Sequence, residues 1–196
     1  MTRYLSAAET AKIVRKILKT QFPGVKFSVR SDTYSMGSSV HITWTDGPTS
    51  KQVDEAVGVL SGSGFDGTID LKYNITHWLN PDGTFTIANS SGTCGSGGQH
   101  PAIHNPKPFP ESEEVNFADH VSPSRNHSKE FLEVIIKEVS AKFAGEVPKV
   151  QGVAPHFGLY FRDYNQEKMY WIITSSSEIK NGKLICHDWQ YEKFFN

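Results

Sequence analysis

The residues best suited to chemistry are three aspartates beside glycine-containing turns. Asp66 and Asp70 lie four residues apart, and Asp46 could lie near them in the fold. Carboxylates grouped in this way can bind a cation or carry out general acid–base catalysis. Asp46 and Asp66, however, each precede a glycine, and an aspartate in such a dipeptide usually binds backbone amides of its own turn. We therefore favour structural turn residues over catalytic ones.

Cysteine and histidine offer a second chemistry, a zinc site. The candidate ligands follow the pattern Cys94-x5-His100-x3-His104. Against such a site, Pro101 breaks the helix that an i, i+4 histidine pair would prefer, and the chain has no CxxC pair. We therefore expect a polar loop, with no metal and no other cofactor.

A nucleophilic triad is suggested only by the contiguous residues Cys186, His187 and Asp188. Successive residues of a strand point to opposite faces, so these three cannot form a triad among themselves. The chain also lacks the phosphate-binding GxxxxGK[ST] motif, a GxGxxG motif after a strand, and HExxH. The sequence therefore predicts no catalytic residue.

A basic stripe is the remaining candidate for binding. Lys12, Arg15, Lys16 and Lys19 fall on one side of a predicted amphipathic helix. Such a stripe can contact phosphates or a protein partner. The alternative is an ordinary solvated helix face, which surface helices usually have.

The elements that hold these residues can be predicted from local signals. Alternating apolar residues predict a strand around Val40–Trp44, and Thr49 with Gln52 forms a capping box for a short helix. A second capping box, Ser6 with Glu9, predicts a helix over residues 7–21. Together with strands around 25–30 and 65–71, these elements form a helix-strand-strand-helix-strand unit.

The fold class expected for the whole chain is α+β. We expect an N-terminal α+β module over residues 1–89, a Gly/Ser/Pro-rich linker or long loop over 90–126, and a C-terminal unit over 127–196. In the last, a helix beginning near Ser128 packs on an antiparallel meander of about four strands, in which Asn181-Gly182 marks a hairpin.

Two motifs indicate a family. WTDGPT (Trp44–Thr49) followed by FDGTIDLK (Phe65–Lys72) resembles the large polyvalent protein-associated domain, number twenty-nine of that series, over about residues 5–79. The resemblance implies a phage, a plasmid or another mobile element as the setting. It brings no established catalytic residues, so Trp44, Asp46, Asp66 and Asp70 are motif positions only.

Bulk properties narrow the choice of function. A net charge of −1 gives no overall electrostatic case for nucleic acid or for an anionic membrane. Two cysteines and no signal-like N-terminus favour the cytoplasm of a bacterial host. At 196 residues the chain suits a dedicated small effector.

We therefore expect a non-enzymatic binding protein of a mobile element, acting as a counter-defence factor that occludes a host immunity complex. Its partner would be a host or element-encoded protein complex, with no membrane, and a homodimer is one option for its oligomeric state. The alternative is a nucleic-acid-binding module for conjugation or DNA packaging that uses the basic stripe. A metal-dependent hydrolase is the third class.

Overall fold

The protein has an α+β fold, as the sequence predicts. The computed structural model describes residues 2–142, 149–154, 158–163, 168–172, 177–181 and 183–186. Three helices belong to the described part: α1 (Ala7–Gln21), α2 (Ser50–Val57) and α3 (Lys129–Lys142). None of the described helices is long and apolar enough to cross a membrane.

The strands up to residue 126 form two sheets. Their bounds are β1 (Arg3–Tyr4), β2 (Ser28–Tyr34), β3 (Gly37–Thr45), β4 (Ser63–Asp66), β5 (Leu71–Leu79), β6 (Phe85–Ser90), β7 (Ile103–His104), β8 (Glu113–Asn116) and β9 (His120–Asn126). One sheet has the order β1-β8-β5-β6-β7, with β4 paired to β5, and the other has the order β2-β3-β9.

The C-terminal strands form two smaller antiparallel sheets. Their bounds are β10 (Lys149–Ala154), β11 (Gly158–Asp163), β12 (Lys168–Ile172), β13 (Ser177–Lys180) and β14 (Lys183–Cys186). The first three pair in chain order, and β13 pairs with β14. The β13–β14 hairpin turns at Asn181, whose left-handed backbone (φ 51°) suits the turn predicted there. His187 and Asp188 lie outside the described residues.

The chain divides into two compact units. Unit 1 contains residues 1–42 and 54–123, and unit 2 contains residues 43–53 and 124–196. The core of unit 1 includes the buried face of α1 and the buried face of the larger sheet. Its fully buried side chains include Ala11, Val14, Leu18, Val40, Ile42, Leu60, His77, Ala88 and Val115.

Both predicted capping boxes are present. The Ser6 hydroxyl accepts from the amide of Glu9, whose carboxylate in turn accepts from the amide of Ser6. Thr49 and Gln52 make the same reciprocal pair at the start of α2. Each box satisfies amides that have no partner within the helix, so the chain folds locally at these two points.

Two strand predictions are corrected. We expected a strand around residues 25–30 and a polar connection after it, but β2 begins at Ser28 and continues to Tyr34. We also expected the chain after Phe65 to turn into a strand carrying Ile69 and Leu71, but Ile69 lies in a turn over residues 67–70 that separates β4 from β5, and β5 begins at Leu71. The cause of this turn is the Asp66 side chain, which binds the backbone two residues further on.

Residues 90–126, for which we expected a linker or a long loop, contain β7, β8 and β9. Strand β8 pairs with both β1 and β5, so it lies inside the larger sheet. Only Val115 of this strand is buried, and a single buried residue gives no alternating apolar pattern.

His77 is a polar member of the unit 1 core. Neither ring nitrogen has a hydrogen-bond partner of good geometry among the described residues, and the ring meets Phe117 edge-on, 5.1 Å between centroids. Burial lowers the pKa of His77 to about 4, although a backbone interaction with Val59 opposes this. The side chain is therefore neutral at physiological pH and acts as a core residue.

Candidate functional site

The FDGT motif forms a turn that is organised by one carboxylate. Asp66 is 1% exposed. Its Oδ1 atom accepts from the amide (3.0 Å) and the hydroxyl (2.6 Å) of Thr68. Its Oδ2 atom accepts from the Thr93 hydroxyl at 2.6 Å and from the Gln99 amide at 3.0 Å. The carboxylate therefore joins this turn to a loop about thirty residues further along the chain.

These hydrogen bonds decide what Asp66 can do. The hydroxyls of Thr68 and Thr93 hold the pKa of Asp66 well below its usual range, with the Gln99 amide adding to the effect. Gly98 lies so close that a Cβ atom there would come within 2.2 Å of Oδ2. A buried, ionised carboxylate whose two oxygens already accept four hydrogen bonds is a structural anchor and a poor general base.

The WTDGPT motif forms a second anchored turn, in unit 2. Trp44 is 2% exposed, and its indole N–H donates to the Pro48 carbonyl at 2.9 Å. Asp46 and Gly47 both have left-handed backbone (φ 56° and 60°), which aspartate and glycine tolerate better than most residues. Arg125 donates to the carbonyls of both, at 3.2 and 3.0 Å. Trp44 and Asp46 are therefore part of the fold.

The Asp46 side chain holds the start of α3. Its Oδ1 atom accepts from the Ser128 amide at 2.9 Å, and its own amide donates to the Asn126 carbonyl at 2.9 Å. Ser128 in turn caps α3 by accepting from the Phe131 amide. The two motif turns are thus tied to distant segments by aspartate side chains in the same way.

Asp70 differs from the other motif aspartates because its residue is exposed; its backbone is left-handed (φ 53°), as that of Asp46 is. It belongs to unit 1, as Asp66 does, whereas Asp46 belongs to unit 2. Within the described ranges, no three or more histidine, cysteine, aspartate or glutamate side chains are grouped as metal ligands.

The three zinc candidates have separate partners. Cys94 is exposed at the start of a short 3-10 helix, Cys94–Ser96. The His100 ring lies 5.1 Å from the Tyr73 ring, and Nδ1 of His104 hydrogen-bonds to the Asn89 side chain. These contacts give both histidines a structural role.

The basic stripe lies on the exposed side of α1. Lys12, Lys16 and Lys19 are exposed along this helix. Arg15 is also exposed, but its guanidinium donates to the Val29 carbonyl at 2.6 Å. The structure therefore leaves three lysines directed to solvent and uses the arginine to join α1 to β2.

A different feature, which the sequence did not reveal, is a group of exposed apolar side chains on two hairpins of unit 1. Met36 is 87% exposed, Phe65 55%, Tyr34 48% and Leu71 37%. Tyr34 and Met36 lie at the β2–β3 turn, whereas Phe65 and Leu71 lie at the β4–β5 turn. We call Tyr34, Met36, Phe65 and Lys72 the hairpin surface. Leu71 pairs with Asp66 and therefore points to the opposite face of the β4–β5 hairpin.

The two hairpins of this surface are connected by Asp119. Lys72 pairs with Phe65 across the β4–β5 hairpin, and its ammonium group donates to Oδ1 of Asp119. Oδ2 of Asp119 accepts from the Ser38 amide, at the start of β3, at 2.9 Å. Burial alone would raise the pKa of Asp119, but the hydrogen bonds from Lys72 and Ser38 outweigh it and keep the carboxyl ionised. Asp119 thus links the β4–β5 hairpin to the start of β3.

An open pocket of about 470 Å³ lies at the opposite end of β5. Its lining residues are Arg3, Trp78, Lys107, Ser112, Glu113 and Glu114. Glu114 accepts from the side chains of Thr2, Thr76 and Asn89, and Arg3 pairs with Glu113 at 3.4 Å. Because its carboxylates already have partners, we assign this pocket no chemistry.

No signal in the sequence singles out the hairpin surface. Met36 follows the polar run of β2, and Phe65 directly precedes the turn residues Asp66 and Gly67. Only their position beside tight turns, where the chain leaves the core, could have indicated exposure.

No curated protein and no solved structure matches the chain. The family model of the large polyvalent protein associated domain 29 does match, over residues 5–101. This range is longer than the one indicated by the two motifs, and it includes the Thr93–Gln99 loop that Asp66 holds. The match confirms the resemblance, and residues 5–101 of this chain form a large polyvalent protein associated domain 29.

Proposed function

We propose that this chain is a non-enzymatic binding protein of a mobile genetic element, and that it occludes a complex of the host's immune defence. The hairpin surface is the observation that carries the binding function. Its apolar side chains are a methionine and two aromatic residues that unit 1 leaves exposed on two turns linked by Asp119. Methionine and aromatic residues are enriched at the centres of protein interfaces, and adjoining exposed apolar residues indicate a binding site.

The state of the motif residues supports a role in binding over one in catalysis. Trp44 is buried, and Asp46 and Asp66 accept hydrogen bonds that maintain the fold. The family match supports a mobile-element setting. The defence complex as partner follows from that setting alone, because an element entering a host meets such complexes.

The proposal can be tested by affinity purification of the tagged chain from lysate of a bacterial host, with and without nuclease. We expect a stoichiometric defence complex that survives nuclease. A Met36→Asp/Phe65→Asp variant should recover about tenfold less of this complex, or even less. The reason is that burying an unpaired charge at an interface costs at least about 1–3 kcal/mol.

The matched control for this experiment is Phe109→Asp, an aromatic residue that is 47% exposed. It lies three residues before Ser112 of the pocket, at the far end of β5 from Leu71. This variant should retain the complex as the wild type does. Recovery of no specific complex, or equal losses for Phe109→Asp and the double variant, would contradict the proposal.

A second candidate, a nucleic-acid-binding module, is favoured by the three solvent-directed lysines of α1. Binding through them should weaken steeply with salt, and Lys16→Glu should lower the slope of log affinity against log salt by about one. Fluorescence anisotropy with labelled DNA measures this, with Lys107→Glu as the control for an equal charge change elsewhere. A slope that Lys16→Glu leaves unchanged would exclude this use of the stripe.

The third class, a metal-dependent hydrolase, stays a prediction, and elemental analysis of the purified protein tests it.

A further inference from the structure

Strand β2 has an open edge. Among the described strands it pairs with β3 alone, so its other side has no neighbour in the sheet. The strand is seven residues long, and all its residues except Val29 are exposed. An exposed edge of this length turns amides and carbonyls outward, where another strand can bind them.

The direction of the backbone groups in β2 can be worked out. Strands β2 and β3 are joined by two residues, and such a turn closes on a hydrogen-bonded pair, here Tyr34 and Gly37. Residues 30, 32 and 34 then bond to β3, and residues 29, 31 and 33 face the open edge. Two contacts agree with this assignment. The Val29 carbonyl accepts from Arg15, and the Thr33 amide donates to Asp32 Oδ1.

The side chains of β2 are complementary to a second copy of the same strand. Arg30 and Asp32 are both exposed on one face, on either side of Ser31. If two copies pair antiparallel about a two-fold axis at Ser31, Arg30 of each copy lies opposite Asp32 of the other. This forms two cross-strand ion pairs. Opposite charges directly across an antiparallel ladder stabilise it, and like charges destabilise it.

The same two charges select one register. If the axis moves to residue 30, two arginines face each other, and if it moves to residue 32, two aspartates do. Only the register centred on Ser31 has both ion pairs, and in it the two Ser31 residues exchange amide-to-carbonyl hydrogen bonds.

We infer that this chain forms a two-fold symmetric homodimer by antiparallel pairing of β2 with β2 of a second copy. The two β2-β3-β9 sheets then become one sheet of six strands. Tyr34 lies opposite Ser28 of the second copy, Met36 lies in the turn beyond the end of the paired strand, and Phe65 belongs to the other sheet. The interface is therefore separate from most of the hairpin surface, and it can be tested independently of the proposed function.

Sedimentation equilibrium of the full chain tests the dimer. The wild type should have twice the 21.9 kDa mass of one chain at high concentration. Arg30→Asp and Asp32→Arg each turn both ion pairs into repulsions, so each should weaken the dimer by about tenfold or more. The combined Arg30→Asp/Asp32→Arg variant restores opposite charges and should dimerise about as well as the wild type.

Mixing the two single variants gives a sharper test. Each should be monomeric alone, but in a mixture every pair across the axis has opposite charges, so a heterodimer should form. Ser31→Pro should abolish the dimer while leaving the far-UV circular dichroism unchanged, because proline is tolerated where an edge amide faces solvent. A wild type that stays monomeric, or single variants that dimerise as it does, would overturn the inference. So would a mixture that does not associate.

Discussion

Replacing Arg125 with methionine is expected to lower the free energy of unfolding by about 3–5 kcal/mol, the usual cost of breaking a buried charged hydrogen-bond network. Arg125 is 3% exposed, and it donates to the carbonyls of Asp46 and Gly47. Its guanidinium also lies over the Phe131 ring, 5.0 Å from the centroid. Methionine keeps much of the apolar contact but leaves both carbonyls without this donor and removes a positive charge near Glu178.

Urea unfolding followed by circular dichroism measures this loss. Arg125→Lys should lie between the methionine variant and the wild type, because an ammonium group keeps the charge but lacks the fork that reaches two carbonyls. Lys26→Met is the matched control at an exposed position outside the proposed interfaces and should change stability by about 0.5 kcal/mol or less. Equal effects of the two methionine substitutions would show that the WTDGPT turn does not depend on Arg125.

Helices α1 and α2 could be predicted from the sequence because their signals are local. Ser6 with Glu9 and Thr49 with Gln52 lie three residues apart, so each cap is decided within one turn of chain. The hairpin turn at Asn181 is local in the same sense. Such signals need no knowledge of the rest of the fold.

The partners of the motif aspartates could not be predicted, because they are distant in sequence. Asp66 was correctly interpreted as a turn residue, but two of its four hydrogen bonds come from Thr93 and Gln99, in a segment that we expected to be a loop. The Ser128 amide that Asp46 binds lies 82 residues away. Sequence patterns with a period of two or 3.6 residues carry no information about such contacts.

The interior position of β8 could not be predicted for the same reason, because its sheet partners are distant in sequence. Its four residues, Glu113–Asn116, include one apolar side chain, and their pairing with β1 joins the N-terminus to residue 116. A strand this short is defined by its neighbours in the sheet and not by its own composition.

Most of the motif residues with known contacts maintain the fold of the domain. Trp44 and Asp66 are buried and Asp46 binds the start of α3, whereas Phe65 and Lys72 of the second motif are exposed and belong to the hairpin surface.

The second large effect is expected at Asp66. Asparagine has the same shape as aspartate, but one of its terminal atoms is an N–H donor instead of an acceptor oxygen. Each carboxylate oxygen of Asp66 accepts two hydrogen bonds, so in Asp66→Asn the side-chain NH₂ group would face two donors and both of those hydrogen bonds would be lost. We expect Asp66→Asn to lower Tm by about 5–10 °C and to speed hydrogen exchange at the Gln99 amide. Asp70→Asn is the matched control. Asp70 is exposed with φ 53°, a conformation that asparagine tolerates well, so this variant should melt as the wild type does.

The Tm difference between the wild type and Asp66→Asn should also depend on pH. The direction of this dependence shows whether the charge of Asp66 causes the difference. The pKa of Asp66 is lower in the folded protein than in the unfolded chain, because the hydroxyls of Thr68 and Thr93 and the Gln99 amide bind the ionised form. The carboxylate thus stabilises the fold fully above its unfolded pKa, about 4, and this contribution is lost as the pH falls further towards the folded pKa. The Tm difference between wild type and Asp66→Asn should therefore be constant from about pH 7 to 5 and shrink below about pH 4. A difference that stays constant in acid would mean that the side chain's shape, and not its charge, holds the Thr93–Gln99 loop.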